Sequence, residues 1–257
     1  MQVEPQFESM MTAVACVGTR VAGLLVFTPF LGSGAIAPRV KAGFVVVLTV
    51  LLYPVCGPRE LALSAGGMLR VMLSEGLVGL LLGLSVGFVF EAATFAGQLM
   101  GTQVGYGLVN IIDPNTQVDT PVLSVFTQTM AMLIFLQLGV HRWLVRALAS
   151  SFSYIPVGSA GATGEMTREL LHSAGGILLA GVQIAAPALI ATLLIDLVLG
   201  FLGKSSPQLP VLFLGLSVKS MVGLLLLALS LRYWPAIFDR YFTTAIHSGE
   251  QLLQLAR

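Results

Sequence analysis

The stretch Gly76–Ala96, GLVGLLLGLSVGFVFEAATFA, decides the class of fold. A helix needs about 20 apolar residues to cross the hydrocarbon core of a bilayer. This stretch supplies them with a single charge, Glu91. Its glycines, Gly79, Gly83 and Gly87, recur every fourth residue, and Gly97, Gly101 and Gly105 repeat the pattern. Residues four apart share one face of a helix, and glycine there lets a second backbone come close. The two runs flank Glu91 and Gln98 and predict a long packing seam through Gly79, Gly83, Gly87, Gly97 and Gly101, within the chain or between subunits.

Composition extends that reading to the whole chain. Of 257 residues, 56% are hydrophobic and only 10% charged. Soluble domains average about 25% charged residues, so a globule of this size would lack the charge to cover its surface. The mean hydropathy is +0.92. A soluble globular enzyme, a disordered chain and a coiled coil are excluded, and an all-α integral membrane protein is expected. The formal net charge of +1 suggests no nucleic-acid partner. Cys16 and Cys56 stand in apolar runs, form no CxxC pair and read as small buried hydrophobes. The start, with Glu4 and Glu8 and no positive charge before the first apolar run, does not read as a cleavable signal.

Six apolar stretches follow one another: Met10–Leu31, Ala42–Cys56, Gly76–Ala96, Pro121–Val140, Ala174–Gly203 and Val211–Leu231. The second is short and closed by Pro54, and Pro187 predicts a kink or break in the fifth. The link Lys204–Pro210, with two prolines, reads as a tight hairpin between the last two. Lys and Arg gather in alternate connections, at Arg59 and Arg70, at Arg142, Arg146 and Arg168, and at Arg232, Arg240 and Arg257. If every stretch spans, that side is cytoplasmic, with both termini, and the loop around Asp113 lies outside. Several stretches are expected to be bent or broken helices forming packed hairpins.

Five charges fall within or beside the apolar stretches: Arg20, Glu75, Glu91, Asp196 and Lys219. Lipid penalises such groups by a few kcal/mol each, so they are expected to pair. One arrangement sets Arg20 or Lys219 against Glu91 or Asp196. Structural or intersubunit pairing is favoured over an ion pathway, since a proton pump would align more carboxylates on one face. The segment Gly105–Pro121 is the most unusual. It joins two apolar helices, yet Tyr106, Leu108, Val109, Ile111 and Ile112 would be wasted in a solvated loop. Gly105 and Gly107 free the backbone, and Asp113-Pro114 marks a turn or helix start. Irregular backbone at membrane depth is tolerated where it lines a cavity, so a pore-occluding loop and an ordinary interfacial loop both stand.

No catalytic, metal or cofactor motif is recognised. Gly83–Gly87 matches the GxSxG elbow around Ser85, but that elbow needs a strand-to-helix turn and this one lies in an apolar helix. An intramembrane protease would need Ser85 and a histidine within reach. A small-solute secondary transporter would suit Asp196 and Lys219 but predicts an inverted repeat, and no convincing one is present.

Taken in order, Pro29, Gly32, Pro38-Arg39, Lys41, Glu75, Gly79, Gly83, Gly97, Gln103, Gly105, Asp113-Pro114, Gly139, His141, Ser151-Phe152, Pro156, Gly158, Pro187, Asp196, Gly200, Pro207-Gln208, Lys219 and Gly223 resemble the FliR/SctT family of type III protein export. The likeness covers most of the chain. It implies a subunit of the flagellar export gate in the bacterial inner membrane, at the basal body, with much of the assembly on the periplasmic side. A virulence secretion gate is the alternative service. Implied partners are FliP-like and FliQ-like membrane subunits, FlhB-like and FlhA-like components, unfolded export substrates and membrane lipid. The family also implies one domain over 1–257, about 1–173 being FliP-like and about 174–257 a FliQ-like hairpin. By the same resemblance Gly105, Tyr106, Gly107, Asn110, Ile111, Ile112, Asp113 and Pro114 form the plug of the closed channel, with no chemistry in the chain itself.

Overall fold

The computed structural model describes residues 3–29, 36–56, 65–106, 122–159, 164–206, 208 and 211–255. The described residues build helices and no strand: α1 (Val3–Phe27), α2 (Pro38–Cys56), α3 (Ala65–Val104), α4 (Val122–Gln137), α5 (Val140–Tyr154), α6 (Gly164–Ser205), α7 (Val211–Ser230), a 3-10 turn (Leu231–Tyr233) and α8 (Trp234–Leu255). The chain is an all-α protein of the kind its apolar stretches require.

Among the described residues, four segments are long and apolar enough to cross a membrane: Met10–Phe27, Gly66–Val104, Gly164–Ser205 and Leu214–Leu255. A fifth arises if α4 and α5 count as one span bent by 66°. The bend falls at Gly139, whose φ of 70° is left-handed and natural to glycine. The expected alternation of loop sides needs six complete crossings, and the helices provide four or five. The short second stretch forms α2 but is not among the candidate spans. At Pro187 the expected break is not formed, because α6 runs through it as one helix of 42 residues. Proline removes one helical N–H, and the hydrogen bonds on either side hold the helix together.

The chain divides into two compact units. One gathers Met1–Phe88, Leu136–Ala174 and Phe242–Arg257, and the other Val89–Phe135 and Gly175–Tyr241. In the first, Cys16, Val17, Val21 and Leu24 of α1 are buried, as are Val78, Leu81 and Leu82 of α3 and Leu148 of α5. In the second, Ala92, Ala93 and Ala96 of α3 are buried, as are Ala131 of α4 and Ile184, Ala185 and Ala188 of α6. Phe90 meets Phe135 edge-on at 5.5 Å, and Trp234 meets Phe238 at 6.0 Å. Small residues bring the helices together and aromatic rings fill the wider gaps.

Candidate functional site

The centre of the first unit is a buried ion pair. Arg20 of α1 and Glu75 of α3 are both fully buried. Arg20 Nε donates to Glu75 Oε2 at 2.6 Å. Its two terminal nitrogens donate to Ser151 Oγ at 3.0 Å and to the Ile155 carbonyl at 3.1 Å. The guanidinium also lies over the Phe152 ring, 4.2 Å from its centre. The second carboxylate oxygen, Glu75 Oε1, accepts the Gly158 backbone N–H at 2.9 Å. Gly158 has a φ of 88°, so glycine suits the turn that presents this N–H. Each charged group thus has several partners, as a charge taken out of water requires. The result is a clasp joining α1, α3, α5 and the turn after α5.

Glycine makes that clasp reachable. A methyl group on Gly79 would fall on the Arg20 carbonyl, and one on Gly83 on the Leu24 carbonyl. One on Gly87 would lie 3.1 Å from the Phe27 carbonyl. Gly23 of α1 returns the contact against the Gly76 carbonyl. This part of the seam packs α3 on α1 within one chain. Gly97 faces α4 instead, against Leu123, Ser124 and Thr127, and Thr127 Oγ1 donates to the Ala93 carbonyl at 2.8 Å. Gly101 is buried.

The pairing of charges bears out one expectation from sequence, Lys219 with Asp196, and corrects the other. Arg20 takes Glu75, not Glu91 or Asp196, because Glu75 stands one helical turn from Gly79, where α1 and α3 are closest. Lys219 of α7 pairs with Asp196 of α6, and both are partly exposed rather than buried. Glu91 is exposed, on the side of α3 away from Ala92, Ala93 and Ala96. Four further members of the clasp, Ser151, Phe152, Ile155 and Gly158, were not identified from sequence as its partners. A signal for one existed: Ser151 falls in step with Leu144, Ala147 and Leu148 on the apolar face of α5.

At the end of α3 the Gly105 N–H bonds to the Thr102 carbonyl and the Tyr106 N–H to the Gly101 carbonyl, at 3.3 and 3.0 Å. With φ of 99° at Gly105, this is a left-handed helix stop. Tyr106 and Val122 both line an apolar pocket of about 450 Å3, with Leu123, Phe126, Leu224, Leu227, Ala228 and Leu231. Gly107, Asn110, Ile111, Ile112, Asp113 and Pro114 of the expected plug lie outside the described residues. Ser85 sits within α3, and its hydroxyl donates to the Leu81 carbonyl at 2.8 Å. The strained turn that presents a nucleophilic serine is not formed there.

Helix packing, a satisfied internal ion pair and long apolar helices define a polytopic membrane protein built by close backbone contact. Comparison with known proteins carries this to a family. The family described as "Bacterial export proteins, family 1" matches residues 11–245. The chain belongs to that family, which is also that of the FliR proteins. It is 28% identical to the flagellar biosynthetic protein FliR of Escherichia coli K12 over 81% of this chain and 80% of that one. Identity to the FliR of Bacillus subtilis is 28% over 95% of both chains. Identity to the FliR of Aquifex aeolicus is 30% over 91% of both.

Proposed function

We propose that the chain is a subunit of the flagellar type III protein export gate in the bacterial inner membrane. It encloses part of the channel with FliP-like and FliQ-like subunits, beside FlhB-like and FlhA-like components, and passes unfolded flagellar subunits. Residues 1–173 take the FliP-like role and 174–257 the FliQ-like hairpin. The segment Gly105–Pro121 holds the channel shut. One observation supports the plug above others: α3 is stopped at Gly105, and Tyr106 at the start of the segment and Val122 just past its end both line one apolar pocket.

Two measurements test the reading. Deleting Ile111–Asp113 is expected to make cells leak ions while the complex still assembles. Normal conductance with intact assembly removes the plug. Asp196→Ala is expected to lower the yield of the complex with FliP-like and FliQ-like subunits, seen by native mass spectrometry, and to leave export per assembled gate unchanged. The pair stands at a partly exposed helix hairpin, where a neighbouring subunit would cover it. A loss of export at normal assembly would make Asp196 part of a charge pathway instead.

A further inference from the structure

In the second unit, α3 carries a polar stripe along an otherwise apolar helix. In Val89–Val104 of α3, Glu91, Thr94, Gln98 and Thr102 follow one another at offsets of three, seven and eleven from Glu91. At 100° per residue, these fall on one narrow stripe. Glu91, Gln98 and Thr102 are exposed, whereas Ala92, Ala93, Ala96, Met100 and Val104 on the other sides are buried. The stripe runs toward Gly105 and exposed Tyr106, the root of the proposed plug.

The exposed face of α6 is mainly apolar and carries Ile190, Leu193, Leu194, Leu197, Val198 and Phe201. On the same helix Asp196 is matched by Lys219. Glu91 belongs to none of the ion pairs among the described residues. An unpaired carboxylate in a spanning helix faces water or an opposite charge, since lipid contact costs about 2.5–3.5 kcal/mol even by the mildest scale. Gln98, one turn further in the same stripe after Thr94, adds an amide with two donors and an acceptor to satisfy. Water meets both demands along the full length of the stripe, whereas a single basic side chain would meet only one.

We propose that the α3 face bearing Glu91, Gln98 and Thr102 lines the water-filled passage along which the exported polypeptide moves. This rests on the export-gate reading above. A lining of amide, hydroxyl and one carboxylate offers weak, sequence-tolerant hydrogen bonds to an extended chain. No large apolar side chain on the stripe would hold a passing segment.

The test uses single cysteines at 91, 98 and 102 in a chain whose Cys16 and Cys56 are replaced by alanine. Each is assembled with its FliP-like and FliQ-like partners, with Leu194→Cys as the lipid-side control. The probe is a charged methanethiosulfonate, which reacts with thiolates in water. Positions 91, 98 and 102 are expected to label at least tenfold faster than 194 in the assembled complex. Labelling in the isolated chain but protection in the complex overturns the proposal, because a partner helix then covers the stripe. Protection in both overturns it in favour of lipid. If Glu91→Cys does not assemble, Gln98→Cys decides, since it leaves the carboxylate in place. Failure of the unaltered chain to assemble with those partners refutes the export-gate reading itself.

Discussion

Replacing Arg20 by methionine should lower the stability of the fold by about 3–5 kcal/mol, because Glu75 is then left buried without its counter-charge. The loss would be read from reversible unfolding in mixed micelles. The charge itself is not what holds the clasp together. Continuum reasoning and substitution of buried pairs agree that two apolar residues of similar volume do as well. Adding Glu75→Leu to Arg20→Met should therefore recover most of the loss. Recovery is incomplete by about 1 kcal/mol, since the Gly158 N–H loses its acceptor. A single Arg20→Met variant as stable as the native chain would show that water or a neighbour reaches Glu75.

Gly79→Ala is the second large effect. The added methyl meets the backbone of Arg20, its carbonyl oxygen and carbon and the Leu24 N–H beyond, not the free end of a side chain. Overpacking a core costs about 1–3 kcal/mol, and this site should fall at or above the upper end because two helices must separate. Gly83→Leu, against the Leu24 carbonyl, should prevent formation of the complex altogether. Gly43→Ala in α2 is the control. Nothing lies within 4 Å of its would-be methyl, so better helix propensity should leave stability unchanged or raised by about 0.5–1 kcal/mol. Gly79 and Glu75 are one turn apart, so Gly79→Ala and Arg20→Met should couple in a double-mutant cycle rather than add. Equal losses at Gly79 and Gly43 would refute the seam.

The glycine period was legible because a spacing of four survives any tertiary arrangement. It marked Gly79, Gly83, Gly87 and Gly97 as contact points, and each meets another helix closely. Which helix they meet was not legible. Internal and intersubunit packing leave the same sequence signature, and only the structure sets Arg20, Leu24 and Phe27 opposite them. Charge identity was legible too, and so was the pairing of Lys219 with Asp196, but not the partner of Arg20. Arg20 lies 55 residues from Glu75 and 131 from Ser151, and no periodicity relates positions so far apart. Pro187 left kink and break both open, and of the two only the break is excluded. Proline weakens a helix but does not end one when the flanking turns remain bonded, and α6 continues past it to Ser205.

The pair between Asp196 and Lys219 has a consequence for the making of the protein. The chain leaves the ribosome in order, so α6 emerges with its carboxylate before α7 brings the matching cation. Alone, each helix carries a charge that opposes its entry into lipid. Paired, Asp196 and Lys219 present no net charge to lipid, and only a short stretch of sequence separates the two helices. The insertion machinery should therefore retain α6 at its lateral exit until α7 arrives, and release the two as a single unit.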